Sequence, residues 1–528
     1  MKKEKKAFFS LLFVLPILSS CLFFQGSSSS GNPGEDAVFR EPDYPSDYRS
    51  ENLNVTNLGY WNGQVFMPST GRSSILVLPI EFSDCPFSQV ELTRMEKTFF
   101  GDSDETSWES VRSYYDKSSY GKLEIDGEVS DVIHFDITAA EVAERAKREG
   151  TSELTQDILF SALRVLEDNG MDFSRFDANG DGYLDAVWMV YSASYDEGSD
   201  LFWAFTTWAV GGRENDFSGY SASSYSWASV DFLTRNSFST STSTTNGDAH
   251  TFVHETGHLM GLDDYYSYDA DMVENMDSPT GGAVMMDYNI GDHDAYSKFV
   301  LDWVDPIVVT EETLKASDYR LTLDSFANYG DCLILPIEKE GEVDYNGTAF
   351  DEYLILEYYT PDGVNSMDSR VAYNNLKMFS QSGILVYHVD SRVGKMIPDR
   401  LSDMGFKWNG ECYDKISDAL EDSGNFLFYY IYSNTRSYCL DTSMDDSESP
   451  FYRGRLISLL SADGRKTTFE SNVTMAGNSS LFQEGDAFFL PEETFDDFKF
   501  DDGSVPRYGF EVESLDGDSC VLHFKEAQ

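Results

Sequence analysis

Positive charge is scarce in this chain: among 528 residues, 38 are lysine or arginine and 92 are aspartate or glutamate, a formal net charge of −54 at pH 7. A surface this acidic repels phosphate backbones, which excludes nucleic acid as a partner, whereas it keeps a protein soluble and attracts divalent cations. Cysteine is also sparse. The five beyond Cys21, namely Cys85, Cys332, Cys412, Cys439 and Cys520, are widely spaced and odd in number. A Cys412–Cys439 disulfide and free buried thiols both stay open. Past the amino terminus no apolar run approaches the roughly 20 residues a membrane-spanning helix needs, and no internal repeat is present. Histidine is nearly as rare: seven in the whole chain, yet His250, His254 and His258 fall together.

What is abundant is enough apolar and aromatic side chain, 41% and 15%, to fill sizeable cores, over a length that suggests more than one domain. The amino terminus sets the compartment. Lys2, Lys3, Lys5 and Lys6 precede the apolar run Ala7 to Ile17, an export signal. Leu18-Ser19-Ser20-Cys21 then resembles a bacterial lipobox, in which Cys21 is lipidated and becomes the first mature residue. The alternative, an uncleaved anchor from Ala7 to Phe24, barely spans a bilayer and contains Pro16. Gln25 to Asp36 has the composition of a flexible tether. The expected location is the bacterial cell surface, outside the cytoplasm, with the membrane reached through the lipid. Removing the signal, with four lysines and Glu4, leaves a charge of about −57.

The chemistry concentrates in His254-Glu255-Thr256-Gly257-His258-Leu259-Met260-Gly261-Leu262-Asp263-Asp264. Histidines four residues apart project from one face of a helix, so His254 and His258 can hold one Zn2+ together. Glu255 lies beside that face, where a carboxylate can take the proton of a metal-activated water attacking a carbonyl. Gly261 suits the left-handed turn that ends the helix and brings Asp264 back as the third ligand. Glu274, His293 and Glu357 are other carboxylate or imidazole candidates for that place, without the fixed spacing that recommends Asp264.

A second motif is Asp177-Ala178-Asn179-Gly180-Asp181-Gly182-Tyr183-Leu184-Asp185. Oxygen side chains at alternate positions around a glycine turn read as a Ca2+ loop, with Asp177, Asn179, Asp181 and Asp185 as side-chain ligands and Tyr183 giving its carbonyl. Trp188 stands where an EF-hand has its bidentate glutamate, so the loop is not a complete EF-hand. The competing reading is an Asp/Asn/Gly turn closed by side-chain to backbone hydrogen bonds, ahead of a buried strand.

The extended zinc motif resembles the metzincin metallopeptidases, HExxHxxGxx followed by His or Asp, and then a methionine-containing turn. Gly281-Gly282-Ala283-Val284-Met285-Met286-Asp287-Tyr288-Asn289 looks like that turn. The resemblance implies Met286 (Met285 as substitute) as an apolar floor under the metal and Tyr288 as a phenol near it, able to donate to a developing oxyanion. Segments outside the motif are similar to secreted immune inhibitor A-type metallopeptidases. They are Ile75 to Phe82, Ser110 to Tyr115, Ser119 to Leu123, Glu352 to Glu357 and Gly383 to Asp390, spanning about Ser73 to Asp390.

The expectations are therefore an α+β protein. A signal over 1–20 and a tether with amino-terminal segment over 21–70 precede a metzincin-like zinc peptidase domain over 71–305, with a mixed sheet and an active-site helix. A β-rich carboxy-terminal region follows over 306–528, read from short alternating segments such as Tyr319 to Leu323 and Cys520 to Phe524. The expected activity is that of a zinc metalloendopeptidase on protein or peptide substrates. The competing class is a non-catalytic surface adhesin on a peptidase fold, against which the intact Glu255 argues; a solute-binding lipoprotein would not need the zinc residues.

Overall fold

The computed structural model describes Ala37 and residues 65–527, apart from 107, 196–200, 209, 213, 235–245, 269–277, 340–341, 374–375, 400–405, 424–429, 436–438, 442–452, 468–474, 491–494 and 496–497. The export signal, Cys21, the tether and Glu274 lie outside the described residues. Among the described residues, no helix is long and apolar enough to cross a membrane.

The fold is mixed α and β. In chain order the first half contributes β1 (Gly71–Phe82), α1 (Gln89–Phe100), α2 (Val111–Ser118), β2 (Leu123–Val129), α3 (Ala139–Glu149), α4 (Thr151–Asp168), β3 (Ala186–Tyr191), β4 (Phe205–Thr207), β5 (Tyr225–Ser229), α5 (His250–Leu259) and α6 (Met285–Tyr288). The first sheet runs β2-β1-β3-β5-β4. Its neighbours are parallel except β4, which closes the edge antiparallel to β5. The strand period of two explains why β1 and β3 read as unbroken apolar runs: Ile75, Val77, Ala186, Trp188 and Val190 enter one core, and Leu76, Leu78, Ile80, Val187, Met189 and Tyr191 enter another. On that second face α4 buries Leu154, Ile158, Leu159, Ala162, Leu163 and Leu166, whose spacing of three and four residues places them on one side of a helix. Truncating one of them, such as Leu159→Ala, costs about 2–5 kcal/mol.

The second half contributes β6 (Arg320–Asp324), β7 (Cys332–Lys339), β8 (Glu352–Tyr359), β9 (Gly383–Asp390), β10 (Ile457–Leu459), β11 (Tyr508–Asp516) and β12 (Ser519–Glu526). β7, β8, β9 and β10 are neighbours in one antiparallel sheet, and β6, β12 and β11 in another. The two segments picked out from the sequence as alternating pair with each other, Leu321 opposite Leu522.

Alternation again divides the side chains. Tyr353, Ile355, Leu385 and Tyr387 join the core that holds α5 and the first sheet, while Leu354, Leu356, Ile384 and Val386 face the third sheet. One apolar core therefore runs across residue 305, and includes Trp303 and Val304 on one side of it and Ile334 and Tyr353 on the other. All five described cysteines are free thiols, Cys412 and Cys439 included.

Candidate metal centre

The sequence of α5 is a poor helix former, with two threonines, a valine and Gly257 inside it. Burial holds it instead, since every residue from His250 to Leu259 is buried. Gly257 is required by a neighbour: a Cβ there would lie 2.7 Å from Met286 Sδ. Tyr115 on α2 donates to Val253 O (2.7 Å), and Trp188 on β3 to Thr256 Oγ1 (3.2 Å), which fixes the helix roll. The helix stops at Gly261, whose φ of 96° is left-handed, and Leu262 N–H returns to Gly257 O at 3.1 Å.

That turn delivers Asp264 to the histidines. Asp264 Oδ1 lies 3.0 Å from His254 Nε2 and 3.2 Å from His258 Nε2, and the two Nε2 atoms are 3.2 Å apart. These are the edges of a tetrahedron whose centre is about 2.0 Å from each corner, the bond length zinc takes to nitrogen and oxygen. The far side of each ring is committed: His254 Nδ1 donates to Met285 O (2.9 Å) and His258 Nδ1 to Leu262 O (2.7 Å). Both Nε2 lone pairs consequently face the shared point, the arrangement that orients metal ligands. The donor set and its spacing fit a zinc ion.

Charge in this cluster is strongly redistributed. Burial raises the pKa of Asp264, but His258 and His254 outweigh it and hold the carboxyl below the usual range. Burial lowers that of His258, and Asp264 then pushes it up to about 10. Glu255 is raised, chiefly by burial.

Thr206 Oγ1, on the edge strand β4, lies 2.9 Å from Glu255 Oε2 and 2.8 Å from Ser226 Oγ, while Trp208 Nε1 donates to His258 O at 2.7 Å. Tyr268 donates to the second Asp264 oxygen, and Tyr266 sits close enough to Asp264 and Glu255 for their charges to add to burial in raising its phenol. Neither Thr206 nor Tyr268 stands out in the sequence. The only signal was the tyrosine richness of the stretch after Asp264, and a threonine 49 residues from Glu255 carries none.

The remaining sequence candidates are placed elsewhere. Met286 is fully buried against Gly257, and Tyr288 ends α6, half-buried beside Gly282. His250, the third histidine of the helix, is not part of the cluster; Asp248 (2.6 Å) and Asp368 (3.2 Å) take its two nitrogens, and it is sandwiched between Trp108 and Tyr373. His293 is enclosed by Tyr114, Tyr115 and Trp303, and Glu357 accepts from Ala295 N at 2.8 Å, so neither of these two alternatives for the third ligand joins the site.

The Asp177–Asp185 loop shows the side-chain to backbone hydrogen bonds of the competing turn reading. Asp177 accepts from the backbone N–H groups of Gly180, Asp181 and Gly182, and Asp185 from those of Ala178 and Ser74. Asn179 Nδ2 donates to Asp181 Oδ2 at 2.9 Å, and Asp181 Oδ1 accepts from Tyr183 N. Tyr183 itself enters a short parallel pairing with Ser221. The loop is not among the groups of ligating side chains that converge among the described residues. Its oxygens are spent on the turn, and burial pushes Asp185 up to about 7.

A buried helix bearing His-Glu-x-x-His, with a carboxylate returned against both imidazoles, defines a metallopeptidase as a class. The family is narrower. Residues 65–287 match the family model for the immune inhibitor A peptidase M6 catalytic domain, and this span is a catalytic domain of that metallopeptidase type. The match ends just past Met286, so the similar segments at 352–357 and 383–390 lie beyond it. No curated protein matches the chain.

Proposed function

We propose that the protein is a surface-anchored bacterial zinc metalloendopeptidase that hydrolyses peptide bonds in extracellular proteins. The observation that carries this reading is the meeting of His254 Nε2, His258 Nε2 and Asp264 Oδ1 beside the Glu255 carboxylate. His254, His258 and Asp264 would hold the metal. When bound, zinc supplies Lewis acidity and lowers the pKa of a water on it from about 15.7 towards about 7. Glu255 takes the proton of the attacking water and passes it to the leaving amine. Thr206 holds the orientation of that carboxylate through Oε2.

A metzincin-like domain is supported by Met286 beneath the helix, and a β-rich carboxy-terminal region by the mainly antiparallel strands after residue 306. Tyr288 is the phenol expected to donate to the developing oxyanion; the Tyr268 hydroxyl is committed to Asp264. Lipid anchoring rests on the Leu-Ser-Ser-Cys tetrad alone. Calcium draws no support from the loop geometry and forms no part of the proposal.

The test is zinc content and cleavage of a mixed unfolded-protein substrate by the purified ectodomain beside Glu255→Ala. Activity falling by about 10²- to 10⁴-fold with zinc retained is the expected result. Zinc absent from the unmodified protein, or full activity in Glu255→Ala, refutes the mechanism.

A further inference from the structure

We propose that Glu352, His388 and Asp501 form a second metal site, for a divalent transition-metal ion of the zinc class, that clips the carboxy-terminal segment onto the β8–β9 sheet. Their ligand atoms lie within 4.8 Å of one another, and the cluster shares no residue with the one on α5.

The sheet builds two of the three corners. Glu352 on β8 pairs with Asp390 on β9, and His388, two residues before Asp390, shares its face, so His388 is the diagonal neighbour of Glu352. His388 Nε2 lies 3.2 Å from Glu352 Oε1, the same separation that the catalytic imidazoles keep from each other, and again the edge of a tetrahedron with bonds of about 2.0 Å. The third corner comes from 111 residues beyond Asp390. Asp501 N–H donates to Glu352 Oε1, Phe498 and Phe500 pack their edges on the His388 ring, and the Asp501 side chain is 2% exposed.

Charge decides that something positive is missing. Glu352, Asp390 and Asp501 bring three carboxylates into one buried place, and Arg392 and Arg453 answer two of them. Arg392 is spent chiefly on Asp390, reaching it with both Nε and Nη2. Glu352 Oε2 is buried with no hydrogen bond, facing only the Arg392 guanidinium at 3.2 Å.

One negative charge is left over beside an imidazole nitrogen. A buried carboxylate in that condition is costly unless paired or bound to metal. A proton on His388 is the rival occupant; burial disfavours it, but Glu352 and Asp501 outweigh burial and raise the imidazole's pKa. A divalent ion answers the same charge while using the imidazole lone pair and both acids. The mixed nitrogen and oxygen set suits zinc-class ions over calcium or magnesium.

The measurement is metal per chain in the full-length protein carrying Glu255→Gln, which cannot digest itself, after equilibration with Zn2+ and removal of excess. Two equivalents are expected in this parent, one in its His388→Gln derivative and one in its His254→Gln derivative. One equivalent in the parent that persists in His388→Gln and disappears in His254→Gln overturns the second site and leaves the catalytic one standing. None in the parent overturns both. An anomalous zinc peak between Glu352 and His388 in crystals of the parent decides the matter even if His388→Gln fails to fold; its absence there, with a peak on α5, refutes the clip.

Discussion

Asp264 and Asp177 each stand beside glycines of positive φ, Gly261 for one and Gly180 and Gly182 for the other, but their oxygens meet different partners. Asp177 satisfies the backbone of its own turn. Asp264 meets two imidazoles whose other nitrogens are already bound to backbone carbonyls, those of Met285 and Leu262. Residue type and local spacing are similar in the two places. What separates them is whether the rest of the fold has consumed the competing hydrogen bonds, leaving lone pairs that can only point at a common centre.

The largest effect should come from exchanging the carboxylates for methyl groups. Asp264→Ala is expected to lose bound zinc and, with it, nearly all peptidase activity, whereas Asp177→Ala keeps both; metal analysis and cleavage assays on the two variants decide. Equal zinc content in both would dissolve the contrast.

His250 sharpens it from another side, as a histidine on the same helix whose nitrogens are both taken by carboxylates. Burial lowers its pKa, and Asp248 and Asp368 carry it up from 6.5 to about 9. Because the folded value is the higher one, the associated stability is fully present below about 6.5 and is lost as pH rises through about 9. His250→Gln should cost about 3–5 kcal/mol near neutral pH, since it leaves buried carboxylates uncompensated. Denaturant midpoints between pH 6 and 10 test this, and a variant whose midpoint falls as steeply with pH as the parent's contradicts it.

Tyr268→Phe removes the hydrogen bond behind the third ligand, and a loss of about 10- to 100-fold in zinc affinity is expected. Chelator competition measures it. Tyr288→Phe should leave that affinity unchanged and reveal any role it has in kcat alone.

The smallest effect belongs to the acidic loop. Asp177→Asn keeps an acceptor for the turn amides, so about 1 kcal/mol or less is expected. Millimolar Ca2+ should not move the Tm of the parent; a clear rise abolished by Asp177→Asn would restore the loop as an ion site.

Much of the catalytic helix was legible in the sequence because its chemistry is local. His254, Glu255, His258, Gly261 and Asp264 lie within eleven residues, and helix period and turn chemistry suffice to bring them together. The strands β1 and β3 and the helix α4 carry signals of the same local kind, as repeating patterns of burial. Thr206, Tyr268 and the Glu352–His388–Asp501 cluster were not, since sheet registry and loop docking place them, and neither leaves a period in the sequence. The Asp177 loop left two readings open for the opposite reason. The alternation of oxygens that wraps an ion is also the alternation that closes a turn on its own amides, and composition cannot tell which competitor wins.

The stretch carrying Met286 is held from far downstream. Leu459 N–H donates to Pro279 O (2.8 Å), Ala476 N–H to Gly281 O (3.0 Å), and Thr467 Oγ1 to Ser278 O. Ser433 likewise grips Asp263, next to the third ligand. A chain emerging from its amino end therefore passes through a long interval in which the zinc residues exist but the brace that shapes their floor has not yet been made. The last of these contacts waits for Ala476 of the 528 residues, and a chain cut short before it is expected to lack the full brace under Met286.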